Sequence, residues 1–156
     1  MIALLLALAL APAQPALPPA RALPPPGTDE AAVLAPVNAL LASFSAGDSA
    51  GMLRWVYPEG RVTATGVRAS SAGLRQESWA QFAQRIKPGA TFEETISDPA
   101  IEVDGDAAMV WAPFVVRVGG RVSNCGFDHF DLVRENGAWK VMNLTFSSRI
   151  TGCPAQ

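Results

Sequence analysis

The stretch AAMVWAPFVVRVGGRVSNCGFDHFDLVRENGAWKVMNLTFSS, residues 107–148, decides the fold. Its side chains follow a period of two, as in strands whose successive residues point to opposite faces of a sheet. Gly119-Gly120 and Asn136-Gly137 divide it into three, and both dipeptides accept the positive φ angles of two-residue hairpin turns. The segments Ala107 to Val118, Arg121 to Arg134 and Ala138 to Ser148 therefore read as consecutive antiparallel strands.

With those dipeptides as turn centres, Val118 pairs with Arg121, and Glu135 with Ala138. Carried on without interruption, this register gives one face the rows Met109–Phe130–Asn143, Trp111–Asp128–Thr145 and Pro113–Gly126–Ser147, with Leu132 beside Val141. The opposite face receives Val110–His129–Leu144, Ala112–Phe127–Phe146 and Phe114–Cys125–Ser148. Both faces are apolar, which a monomer with helices on one side does not need. A bulge in either hairpin would flip part of the assignment.

Upstream, Thr91 to Ser97 and Ala100 to Val103 keep the period of two and reach the meander through Asp104-Gly105-Asp106. Earlier still the period becomes helical. Thr28, ahead of Asp29-Glu30, caps a helix that places Val33, Leu34, Val37, Leu40, Leu41 and Phe44 on one face. Pro36 lies inside it, Gly47 ends it, and Asp48 caps a short second helix through Met52 and Leu53. Trp55 to Tyr57 and Arg61 to Arg68 are short strands around Pro58-Glu59-Gly60, and Ser78 to Ile86 is a third helix stopped by Lys87-Pro88-Gly89. Helices first and a long antiparallel meander afterwards make an α+β domain with its helices on one sheet face.

The first residues differ in kind from the rest. Residues 1–28 hold one charge, Arg21, and seven of the 13 prolines. Ile2 to Leu10 is unbroken apolar sequence followed by Ala11-Pro12-Ala13, the pattern of a signal peptide over residues 1–13. An uncleaved anchor is the alternative, but prolines from Pro12 onward interrupt the run well short of the roughly 20 residues that span a bilayer. Residues 14–27 read as an extended Pro-rich disordered tether, and residues 28–154 as the domain. The expected location is periplasmic or secreted, with no membrane contact after cleavage. Cys125 and Cys153 suit that compartment as a disulfide, the alternative being two free thiols.

A net charge of −2 without a basic run gives no footprint for phosphate backbones, so nucleic acid is not an expected partner. A single histidine among scattered carboxylates lacks metal-ligand spacing, so no metal is expected. Gly119-Gly120 joins two strands and opens no helix, so it is not a phosphate loop, and no cofactor is expected.

The words VWAPF (Val110 to Phe114), CGFDHFDLV (Cys125 to Val133), GAWKV (Gly137 to Val141) and GCP (Gly152 to Pro154), in this order after the helices, resemble the nuclear transport factor 2-like superfamily. They are most similar to its exported bacterial SnoaL-like members, over about residues 28 to 154. Departures are Phe114 in place of the usual Tyr, Asn124 where a His often precedes Cys-Gly, and Phe146-Ser147-Ser148 in place of an acidic-Thr-Arg segment. The resemblance implies a cone-shaped, cystatin-like α+β fold whose curved antiparallel sheet wraps around the N-terminal helices and leaves a cavity. It also implies a homodimer formed through the outer sheet face. On that reading the Trp111–Asp128–Thr145 row faces the pocket, and Phe127, His129 and Phe146 face the partner subunit.

Asp128 is then the candidate catalytic residue, because a carboxylate among aromatics is desolvated, which raises its pKa toward that of a general acid or base. The expected pocket comprises Trp55, Tyr57, Met109, Trp111, Asp128, Phe130, Asn143 and Thr145. His129 points to the opposite face, where an ion pair with Asp131 is available. Three functions fit. The first is an exported binding domain for a small apolar or aromatic ligand. The second is a cofactor-free isomerase, dehydratase or hydrolase with Asp128 as base, and the third a dimeric scaffold with a vestigial cavity.

Overall fold

A computed structural model describes residues 28–67, 73–89 and 91–154; the signal-peptide, tether and Arg68 expectations lie outside them. The order is α1 (Thr28–Ala46), α2 (Ser49–Leu53), β1 (Arg61–Gly66), β2 (Leu74–Ser78), α3 (Trp79–Ala83), β3 (Phe92–Ile96), β4 (Ala100–Asp104), β5 (Ala107–Val118), β6 (Arg121–Glu135) and β7 (Ala138–Arg149). The strands form one curved, unclosed sheet in the order β2-β1-β7-β6-β5-β3, with β4 also paired to β5. It is α+β as expected, but the sheet is mixed, because β1 runs parallel to β7.

Gly47 and Asp48 act as the sequence indicates, whereas Thr28, expected as the cap of α1, is its first helical residue. At the end of α1, Gly47 takes φ +67, the Gly47 amide donates to the Phe44 carbonyl and the Asp48 amide to that of Ser43. A side chain at Gly47 would also strike the Lys87 carbonyl. The Asp48 carboxylate then accepts from the Gly51 amide at 2.7 Å and starts α2. Ser78 and Gln81 form a reciprocal capping box on α3. That helix is shorter than its apolar pattern predicts, since the Arg85 and Ile86 amides reach back only three residues. Val33, Val37, Leu40 and Phe44 of α1 are buried against Val110, Phe130, Val141 and Leu144 of the sheet.

Two bulges overturn the uninterrupted register. Near the first turn Val118 pairs with Arg121 as expected, but Val116 stands opposite Asn124, so Ser123 is the extra residue on β6. On β7 Leu132 faces Val141 while Asp131 faces Asn143, which makes Met142 the extra residue. The rows become Val110–Phe130–Leu144, Ala112–Asp128–Phe146 and Phe114–Gly126–Ser148 on the concave side. Met109–Asp131–Asn143, Trp111–His129–Thr145 and Pro113–Phe127–Ser147 form the convex side. A bulge bends its strand and increases the local twist, as a sheet wrapped around helices requires. The second bulge is held from inside the core, where the fully buried Trp79 donates its indole N–H to the Met142 carbonyl at 2.9 Å.

Two local expectations also change. Leu74–Ser78, with no alternating pattern of its own, is recruited as a strand by pairing with β1. Trp55 to Tyr57 makes only an isolated bridge, Val56 to Val141. Cys125 and Cys153 are bonded, tying the C-terminal segment to the middle of β6.

Candidate functional site

The curved sheet and the helices leave a cavity of about 390 Å³ at one end of the core. Each phenylalanine in its wall comes from a different element: Phe44 from α1, Phe82 from α3, Phe92 from β3, Phe114 from β5 and Phe146 from β7. Phe44 and Phe82 lie 5.3 Å apart between ring centroids, and Phe114 meets Phe146 edge-on at 6.3 Å. The polar points in the wall are Asn124 on β6, Glu94 on β3, Arg75 on β2 and Arg85 after α3. Between Asn124 and Asp128, Gly126 lets β6 lie close to β7, because a side-chain carbon there would sit 1.9 Å from the Ser147 carbonyl oxygen.

Asp128 is 1% exposed and meets the carboxyl group of Glu94. Burial, reinforced by the charge of Glu94, raises the Asp128 pKa well above the usual carboxylate range. Burial likewise raises Glu94, to about 7, while its hydrogen bond with Asp128 pulls the other way. Neither oxygen of Asp128 accepts a hydrogen bond from another protein donor. A proton held between the two acids supplies the missing donor. The pair therefore holds a proton near neutral pH, with Glu94 at the cavity wall and Asp128 behind it.

Arg75 and Arg85 flank the carboxylate of Glu77. The Arg75 Nε lies 3.4 Å from Glu77 Oε1, and the Arg85 guanidinium donates to the same oxygen. Arg85 also sits over the Phe82 ring, 5.0 Å from its centroid.

The bulges redistribute the expected pocket. Asp128 and Phe130 lie on the concave face, Asp128 against Glu94 and Phe130 in the core. Met109, Trp111, Asn143 and Thr145 lie on the convex face, so the expectation that they line the cavity with Asp128 is corrected. Trp111 there stacks on Phe127 at 5.3 Å, and Asn143 accepts from the Arg61 amide and donates to Asp131. Trp55 and Tyr57 flank the buried Val56, exposed and half-buried respectively, and neither lines the cavity. Phe146, expected at the partner face, lines the cavity instead. His129 and Asp131 do come together on the convex face, with 3.6 Å between Nε2 and Oδ1.

Glu94 was not among the expected residues, although its sequence signal was present. Phe92, Glu94 and Ile96 share one parity of β3, and all three are half-buried, so the acid occupies an apolar position of the alternation. Arg75 carried no such signal because its strand has no alternation to read.

Among the described residues no group of three or more His, Cys, Asp or Glu side chains is arranged to hold a metal, and no helix is long and apolar enough to cross a membrane. The profile of the SnoaL-like domain matches residues 28–145. A search of curated proteins found no match. Among solved structures, a nuclear transport factor 2-like protein of unknown function from Shewanella baltica is 16% identical, with TM-score 0.61 over 79% of this chain and 95% of that one. A nuclear transport factor 2-like protein with a cystatin-like fold from Novosphingobium aromaticivorans is 14% identical, with TM-score 0.64 over 80% and 84%. A cystatin-like protein of unknown function from Nostoc punctiforme is 12% identical, with TM-score 0.64 over 79% and 92%. At these identities the likeness is one of fold.

Proposed function

The chain belongs to the SnoaL-like domain family, of nuclear transport factor 2-like fold, and from that premise we propose that it binds a compact, largely apolar or aromatic small molecule. The observation that carries this reading is the cavity of about 390 Å³ walled by five phenylalanines with a few convergent polar groups. Aromatic rings supply most of the contact area, and Asn124 and Glu94 orient a carbonyl or hydroxyl. Binding takes place outside the cytoplasm, in the periplasm or medium; the leader sequence and the Cys125–Cys153 bond support that location. The working form is a homodimer joined through the convex face, where Trp111, Phe127 and His129 make an aromatic surface.

Native mass spectrometry of protein purified from its own host tests the binding reading. A small molecule that co-purifies and is lost on denaturation supports it. No bound mass, together with no thermal shift across a panel of lipids, sterols and aromatics, contradicts it.

A second reading is favoured by one specific observation, the meeting of Glu94 with Asp128. Two acids sharing a proton can give it to, and take it from, a substrate near neutral pH, as a cofactor-free isomerase, dehydratase or hydrolase requires. Glu94 reaches the cavity and transfers the proton; Asp128, expected alone as the base, holds the proton from behind. On this reading Asp128→Asn lowers turnover at least about tenfold with folding intact. Equal turnover in the variant removes it.

A further inference from the structure

Arg75 and Arg85 both line the cavity, and they come from opposite ends of the β2–α3 segment. Their nearest carboxylate is Glu77, and the contacts of both guanidiniums converge on one of its oxygens. Two cations facing one anion leave this edge of the cavity with a net positive charge. Among the described residues neither guanidinium forms an ion pair with Glu94, the other acid in the wall. The Arg75 Nε is shut off from solvent and, although 3.4 Å from Glu77 Oε1, makes no hydrogen bond of good geometry, so its donor capacity is not fully used. Arg85 is held over Phe82, so its fork of donors is oriented beside an aromatic wall. Guanidinium donors match the two oxygens of a carboxylate.

We propose that the ligand is amphiphilic, with a carboxylate or equivalent oxyanion received by Arg75 and Arg85 while the phenylalanine wall takes its apolar body. The inference rests on the binding reading above and narrows it to apolar acids. It assigns Arg75 and Arg85 as specificity residues, and Glu77 as the group that holds them in place and competes with the ligand's own carboxylate.

Titration calorimetry of the full chain with 2-naphthoate and its neutral counterpart 2-naphthamide tests this. The acid binds about tenfold or more tightly than the amide, and high salt weakens the acid several-fold while leaving the amide unchanged. Arg85→Gln and Arg75→Gln each remove the preference without weakening the amide. Glu77→Gln, which keeps both cations and removes their competitor, strengthens the acid several-fold. Because the salt comparison uses the unaltered protein, it stands even where a variant folds poorly. Equal affinity for the two probes, or a preference for the amide, overturns the inference and leaves the apolar pocket standing. Binding of neither probe contradicts both.

Discussion

Two carboxyl groups that meet in a low-dielectric site cannot both ionise cheaply, and the chemistry of this cavity follows from that. Both pKa values are raised on folding, so the folded chain holds these protons more tightly than the unfolded one. The sign is fixed by linkage: stability present at low pH is lost as pH rises from 4.5, the ordinary value for Glu94, through about 7. Asp128→Asn removes one acid and gives Glu94 an amide donor. The variant should be more stable than the parent at pH 8 and nearly equal to it at pH 3, below the ordinary values of both acids, 3.8 for Asp128 and 4.5 for Glu94. Urea unfolding of both proteins at the two pH values checks this, and a variant destabilised equally at both is the contrary result. That Asp128 is buried was legible in the sequence, where it lies between Phe127 and Phe130 in an apolar strand. Its true neighbours were not, since they depend on which strands curl over which face.

Among elements, the turns and the Asp48 cap were legible because Gly, Asn and Asp act locally at Gly47, Asp48, Gly119-Gly120 and Asn136-Gly137. The bulges at Ser123 and Met142 were not, because an extra residue leaves no mark in a two-residue period that resumes beyond it. Each bulge reverses facing across a whole strand pair, which moved Met109, Trp111, Asn143 and Thr145 outward together. The indole of Trp79 fixes the second bulge. Trp79→Phe keeps most of the apolar packing but leaves the Met142 carbonyl without that donor, and should cost about 1–3 kcal/mol in denaturant unfolding. A loss below about 0.5 kcal/mol would show that the bulge stands without it. On β6, Gly126→Ala drives a methyl into the Ser147 carbonyl and should cost at least about 2 kcal/mol, seen as a lower thermal midpoint. An unchanged midpoint would contradict the close approach of β6 to β7.

For the whole molecule, the helix-then-meander order was enough to read the fold class, while the parallel placement of β1 beside β7 had no local signal. The disulfide closes a loop of 28 residues, and its reduction should lower unfolding stability by about 3 kcal/mol. Paired urea transitions with and without reductant measure this, and coincident transitions would contradict it. The proposed dimer uses the convex face, so Trp111→Glu should halve the sedimenting mass and leave the cavity intact; a parent protein that sediments as a monomer refutes the dimer. In the proposed function the concave cavity receives the ligand. Mapping backbone amide shifts in solution during titration with 2-naphthoate tests it most directly. Changes concentrated at Glu94, Phe114, Asn124 and Phe146, around the cavity wall, are the expected result. Changes confined to Trp111, Phe127 and His129 on the convex face, or no changes at all, would contradict it.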